Sequence, residues 1–332
     1  MSVLLGRSTG LSHPGRKRRR NEDAWVCQPP LFAVADGMGG ARGGEIASRV
    51  AATALGETVD GNGEERVVAL VQKANRQVFD RAREDADASG MGTTITVALV
   101  EDGVVAIGHV GDSRAYLIRD HKVEQLTEDH SLVAELVRSG RLSPEEAEIH
   151  PQRSVITRAL GTDPDVDVDT FSVEARAGDV FLICSDGLTS MIDDETILGI
   201  VEPRRDDLNA AAKELIGAAN RSGGEDNITV VFFEMTDKAP EPPAETKAMP
   251  VMQPPDPPST EADEDTLSGL EGVPAVQTMV VAPPGEARAS TDGAEPEQPK
   301  ERFSVQAARL IVALAVVAAL ALLVYWLLGQ SR

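Results

Sequence analysis

At residue 238 the chain changes character. The window 238–302 holds 13 of the 20 prolines, 13 acids against 5 bases, and no Phe, Trp or Tyr. A segment so poor in apolar side chains cannot bury enough surface to offset the entropy that ordering would remove. It reads as a disordered, acidic, proline-rich linker, spanning roughly 45 Å as a flexible coil. Ser259, Thr260, Thr266 and Thr278 within it are candidates for phosphorylation, but they read first as solvating groups. A folded domain is therefore expected over 1–237, and a separate terminal segment over 303–332.

That terminal segment contains an uncharged run of 19 residues, Leu310 to Leu328. As a helix the run is about 28 Å long, close to the thickness of a bilayer core. Tyr325 and Trp326 sit near its end, where an interfacial aromatic belt lies. Lys300, Arg302 and Arg309 precede it, and Gly329, Gln330, Ser331 and one base, Arg332, follow. The N-terminus has no apolar run of signal-peptide length. The expected topology is one transmembrane helix, with the 1–237 domain cytoplasmic at the inner face of the plasma membrane.

The whole chain carries a formal charge of −22. That argues against nucleic acid as a partner, because phosphate backbones need basic surface. The domain itself has 41 acids and 25 bases. Cys27 and Cys184 are the only cysteines, too few for a disulfide framework, which fits a reducing compartment.

Within 1–237, apolar β-rich runs appear at 24–27, 31–35, 93–100, 104–110, 115–118, 180–184 and 228–233. Several are Val/Ile-rich and bounded by Gly or Asp, as buried strands are. Asp102-Gly103 between two of them signals a hairpin. Helical spacing fits 42–59, 64–88, 129–139, 192–200 and 205–221, and the stretch 129–165 looks like an inserted flap. Strands cluster as neighbouring hairpins instead of alternating one-for-one with helices. The expected class is α+β, with antiparallel sheets covered by helices.

Carboxylates stand at the ends of these strands. Asp36 follows Leu-Phe-Ala-Val-Ala, and Asp186 follows Val-Phe-Leu-Ile-Cys-Ser. Asp226 immediately precedes the last strand, and Asp112 lies between two others. Ionised carboxylates beside apolar strands are costly unless paired or metal-bound. Few Lys or Arg stand near Asp36, Asp186 or Asp226 in the sequence. All-oxygen donors of this kind select hard ions, Mg2+ or Mn2+, over zinc. Read one by one, the same residues are turn and cap aspartates, and spacing alone leaves that alternative open. Arg18, in the run Arg16-Lys17-Arg18-Arg19-Arg20 before Asn21-Glu22-Asp23, is a candidate phosphate-binding guanidinium. A basic run by itself reads as a solvated face, and only the acidic residues that follow single out Arg18.

Six motifs now stand in order: Arg18-x-x-Asn21-Glu22-Asp23, Ala35-Asp36-Gly37-Met38-Gly39-Gly40, Gly92-Thr93-Thr94, Gly111-Asp112-Ser113-Arg114, Cys184-Ser185-Asp186-Gly187-Leu188 and Asp226-Asn227. With them the chain resembles the bacterial metal-dependent Ser/Thr protein phosphatases (PPM, type 2C) over roughly residues 8–236. The resemblance implies an αββα sandwich of two antiparallel sheets flanked by helix pairs. It implies that Asp36 bridges two metals, that the Gly37 carbonyl ligates one, and that Asp186 and Asp226 ligate the other. It further implies a third site at Asp112 and Asp186, carboxylates of Glu22 and Asp23 holding metal-bound waters, and phosphate binding by Arg18. Two Mg2+ or Mn2+ ions, with a third, are the expected cofactors. The implied mechanism is in-line attack by a metal-bridging hydroxide, with no phosphoenzyme. Many eukaryotic members carry His where this chain has Met38. The general acid is then expected to be a water on the third metal, with His150 a weaker candidate.

Three functions follow from that pattern. The first is a membrane-anchored phosphatase acting on phosphorylated proteins, opposing Ser/Thr kinases. The second is a binding module that keeps the fold without catalysis. The third is an unrelated two-metal phosphodiesterase or nuclease, which the acidic domain disfavours.

Overall fold

The structure is a computed structural model and describes residues 3–39, 43–85, 88 and 90–237. Gly40, the 238–302 linker and the 310–328 helix lie outside the described residues. Among the described residues no helix is long and apolar enough to cross a membrane.

Two antiparallel sheets carry the domain. The first sheet contains β1 (Leu4–His13), β7 (Arg114–Arg119), β8 (Lys122–Gln125), β10 (Val180–Cys184) and β11 (Ile228–Thr236), in the order β1-β11-β10-β7-β8. The second contains β2 (Asp23–Gln28), β3 (Leu31–Met38), β5 (Ile95–Glu101), β6 (Val104–Val110) and β9 (Asp169–Glu174), in the order β2-β3-β5-β6-β9. A two-residue strand, β4 (Gly92–Thr93), pairs with the end of β3.

Three apolar layers show how these sheets stack. Phe32, Val34, Ala98 and Ile107 of the second sheet meet Leu117, Phe181, Ile183, Val231 and Phe233 of the first, sheet face to sheet face. On the other face of the second sheet, Ala33, Val97 and Ala106 pack under α1 (Gly43–Ala54) and α2 (Gly63–Glu84). On the other face of the first, Ile118, Val180, Leu182 and Phe232 pack under α6 (Asp194–Val201) and α7 (Leu208–Arg221). The result is the expected αββα sandwich. Central strands are buried on both faces, so they read as unbroken apolar runs, although antiparallel strands with one wet face alternate. Gly108 permits the close seat of α2: a Cβ there would stand 2.3 Å from Val67 Cγ1.

Helix starts follow cap chemistry more closely than periodicity. The 129–139 pattern becomes α3 (Leu132–Arg138) because Ser131 accepts the Ala134 amide. The 192–200 and 205–221 patterns become α6 and α7 because Asp193 and Asp207 accept the amides of Thr196 and Ala210. Asp102-Gly103 makes the expected hairpin between β5 and β6, with both residues at positive φ, 51° and 80°. The insertion between β8 and β9 holds α3, α4 (Pro144–Glu148) and irregular turns, as a flap would.

A buried histidine pair ties this insertion to the sandwich. The His109 and His130 rings lie 4.8 Å apart. His130 Nδ1 accepts the Gly111 amide at 3.0 Å, and the His130 amide donates back to the Gly111 carbonyl at 2.7 Å. Burial, then the neighbouring His130, pushes the His109 pKa down from 6.5 to about 4. Unfolding lets this imidazole take a proton that the folded state refuses. Its contribution is therefore complete above pH 6.5 and is lost as pH falls toward 4, for a total of about 3 kcal/mol. Urea melts of wild type and His109→Gln between pH 7 and 4 check this: the wild type should lose more stability. Parallel acid limbs would remove His109 as the cause.

Candidate metal centre

Strand pairing gathers the carboxylates at one end of the sandwich. Asp36, near the end of β3, pairs directly with Asp23 at the start of β2. Cys184, the last residue of β10, pairs with Val230 of β11 and Arg114 of β7. Asp186, two residues past β10, therefore lies at the same end as Asp226, two residues before β11, and Asp112, two residues before β7. Asp186 opens a short helix, α5 (Asp186–Thr189).

Each of these groups feels the others. Burial, then Asp23, Asp186, Asp112 and Asp226, holds the Asp36 carboxyl well above the usual carboxylate range. Burial pushes Asp23 up to about 7, against the opposing hydrogen bonds of Thr229 and Ser185. Burial and then Asp186 push Asp112 up to about 8. Asp186 is raised by burial and by Asp226, and Glu22 by burial. Directly opposed like charges on neighbouring strands destabilise a sheet. Here several such charges share one low-dielectric corner.

The surrounding hydrogen bonds position the carboxylates without neutralising them. The Asp36 amide donates to Thr94 Oγ1 at 3.0 Å, and the Asp36 carbonyl accepts from the Thr93 hydroxyl at 2.8 Å. Thr94 Oγ1 lies 2.8 Å from Ser113 Oγ, linking β3 to the Asp112 loop. Asp23 Oδ2 accepts from the hydroxyls of Ser185 and Thr229. Asp23 Oδ1 and Asp186 Oδ1 are buried and have no hydrogen-bond partner among the described residues. Gly37 and Gly44 bring backbone up to this corner: a Cβ on Gly44 would stand 2.7 Å from the Gly37 carbonyl oxygen and 2.8 Å from Glu22 Oε2. The Gly37 carbonyl and the Glu22 carboxylate thus border one space.

Arg18 stands at the rim, half exposed, with Nη2 2.6 Å from Asp226 Oδ2. Asp226 turns its carboxylate to this guanidinium. Among the described residues no three Asp, Glu, His or Cys side chains are gathered as a ligand set for one ion. The expected trio Asp36, Asp186 and Asp226 is thus brought to one corner without being drawn around one point. The donors nonetheless fit hard divalent cations. They are all oxygen, two buried carboxylate oxygens are orphaned, and the packed negative charges need a counter-charge. His150 takes no part in this corner's hydrogen bonds: its Nδ1 accepts the Gln152 amide within the flap.

Several supporting residues have a role that the sequence alone does not assign, although Asn227 and Arg114 stand inside its motifs. Asn227 donates to the carbonyls of Pro14 and Arg20 and accepts the Glu22 amide at 2.7 Å. Arg114 makes a two-point ion pair with Asp129, at 2.9 and 2.7 Å. Ser185 stands beside Asp186 in its motif, whereas Thr229, one residue into the last strand, carries no sequence signal of its grip on Asp23.

Residues 9–219 match the family model described as Protein phosphatase 2C. The chain is 42% identical over 233 residues to the serine/threonine phosphatase stp of Listeria monocytogenes, covering 66% of this chain and 92% of that protein. It is 41% identical over 239 residues to the serine/threonine protein phosphatase PstP of Mycobacterium tuberculosis, covering 71% of this chain but 46% of that one. Among solved structures, the catalytic domain of PstP in complex with two manganese ions matches at a TM-score of 0.65 and 38% identity, over 71% of this chain and 100% of that domain. Motifs, sandwich, carboxylate corner and relatives agree, and the chain belongs to the protein phosphatase 2C family, in its bacterial Ser/Thr phosphatase branch.

Proposed function

We propose that the chain is a membrane-anchored phosphatase that hydrolyses phosphoserine and phosphothreonine in proteins and opposes Ser/Thr kinases at the inner face of the plasma membrane. The observation that carries the chemistry is the corner of raised carboxylates with orphaned oxygens beside one arginine. Asp36, the Gly37 carbonyl, Asp186 and Asp226 would hold two Mn2+ or Mg2+ ions. Asp112 with Asp186 would hold a third, and Glu22 and Asp23 would act through water. Bound cations supply Lewis acidity, lowering the pKa of water and offsetting charge on the transferring phosphoryl group.

The chain's own residues do the rest. Arg18 presents a planar guanidinium that grips two phosphate oxygens. Thr93, Thr94 and Ser113 fix the Asp36 backbone and the Asp112 loop. Burial pushes the Cys184 thiol up to about 12, and burial also raises Cys27. Both stay protonated at neutral pH, so neither is a thiolate nucleophile, which supports direct displacement by water.

The anchor rests on the uncharged run Leu310–Leu328 and its aromatic end. Tethering raises effective concentration toward substrates on the same membrane, so co-anchored kinases are the natural partners. Deleting 310–328 should move the protein from the membrane to the soluble fraction. Unchanged fractionation would remove the anchor.

The test of the chemistry uses the full chain with p-nitrophenyl phosphate and a phosphothreonine peptide, in Mn2+ and in EDTA. Hydrolysis that EDTA abolishes supports the reading. Silence on both substrates indicates a binding module, and cleavage of a phosphodiester instead indicates a diesterase. Asp112→Ala should lower peptide turnover by at least about tenfold, if its site serves the leaving group's proton. Full turnover in that variant would end the third-site assignment.

A further inference from the structure

The loop between β1 and β2 carries five consecutive cations, Arg16 to Arg20, in a domain with 41 acids and 25 bases. Structure pins this loop at the rim of the carboxylate corner. The amides of Arg16 and Lys17 donate to the Gly224 carbonyl at 2.7 and 3.2 Å. The Asn227 side-chain amide closes the loop's base, donating to Pro14 and Arg20 carbonyls at 3.0 and 2.9 Å. Arg18 is thereby held against Asp226, and Arg16 reaches the Asn220 carbonyl. Lys17 and Arg19 flank Arg18, are exposed, and form no ion pair among the described residues.

Resting on the phosphatase reading above, we propose that Lys17 and Arg19 select phosphoproteins that carry a second anionic group close to the phosphate being removed, a second phosphate in preference to a carboxylate. The argument is one of reach and charge. The Cα atoms of Lys17 and Arg19 each lie about 3.8 Å from that of Arg18. A substrate strand advances about 3.3 Å per residue. On their long stems, the cations on both sides of the phosphate-gripping guanidinium are therefore within reach of groups one to three residues from the phosphorylated one. Screening over about 8 Å in physiological salt confines their pull to those groups. A phosphate carries about −1.5 to −2 charges at neutral pH against one for a carboxylate, so it gains more. An acidic domain otherwise repels such a substrate, and this loop offers it a local cationic rim.

The test compares the full chain in Mn2+ with the double variant Lys17→Ala/Arg19→Ala. Substrates are p-nitrophenyl phosphate, a peptide with one phosphothreonine, the same peptide with a second phosphothreonine two residues away, and the same peptide with Asp there. Wild type should favour the doubly phosphorylated peptide over the single one by about tenfold in kcat/KM, with the gain in KM and the Asp peptide between. The variant should lose that preference and keep its p-nitrophenyl phosphate rate. Lys17→Glu/Arg19→Glu should invert the preference. No preference in wild type, or a preference that survives both variants, overturns the proposal while leaving the phosphatase reading intact. Silence of wild type on every substrate overturns the phosphatase reading itself. A rate that instead responds to anionic over neutral vesicles, and only when Lys17 and Arg19 are present, assigns the loop to lipid headgroups and overturns the proposal.

Discussion

Asp36→Asn should lower turnover of a phosphothreonine peptide by at least about three orders of magnitude, near 4 kcal/mol of lost transition-state stabilisation. Asp36 is the carboxylate on which the corner's four other aspartates act: Asp23, Asp186, Asp112 and Asp226 all push on it. Asn keeps the shape and removes the charge. The variant should also be more stable than wild type in EDTA, because one of several crowded like charges is gone. Added Mn2+ should then reverse the order. Saturating cation at a hundred times its Kd stabilises wild type by about 2.7 kcal/mol, and the variant should respond far less. Thermal melts with and without Mn2+ read this independently of turnover. A variant that keeps the full Mn2+ shift would show that Asp36 holds no cation.

Phe233→Ala should cost about 3–5 kcal/mol, a large part of the 5–15 kcal/mol that domains of this kind possess. Phe233 is fully buried between the two sheets. Its ring stacks on Phe32 of the facing sheet at 4.3 Å and on Phe181 of the neighbouring strand at 4.8 Å. Both stacked partners are themselves fully buried and packed, so filling the void would require them to leave their own places. Urea unfolding in EDTA, where no ligand masks the loss, is the measurement. A cost under about 1 kcal/mol would mean that the sheets collapse onto the gap, contrary to close-packed interiors. The metal corner lies at the strand ends, so Mn2+ should still stabilise whatever fraction of this variant folds.

Much of this molecule is legible in one dimension. The runs at 104–110 and 180–184 coincide with β6 and β10 residue for residue. Both faces of those strands are covered, so their apolar character is continuous and needs no knowledge of the partner. Asp102-Gly103 turns where it must because two adjacent positive φ angles demand such residues. The sequence missed β1, β8 and β9, which are edge strands of the two sheets. Their side chains are largely half-buried or exposed, and β1 is further broken by an irregularity between Leu5 and Ser8. An edge strand is defined by its partner more than by its own composition.

The site divides along the same line. Chemistry of residue types at strand ends, read with the motif order, was enough to single out Asp36, Asp112, Asp186 and Asp226 and to name hard cations. Which groups hold those carboxylates was decided only in three dimensions. Asp23 is gripped by Ser185 and Thr229, more than 160 positions away, and one Asn227 side chain closes a loop 200 positions earlier. Local sequence encodes periodicity, turns and caps because those depend on neighbours within a few residues. Side-chain partnerships across the sandwich depend on the register of antiparallel pairing, which the whole fold settles at once.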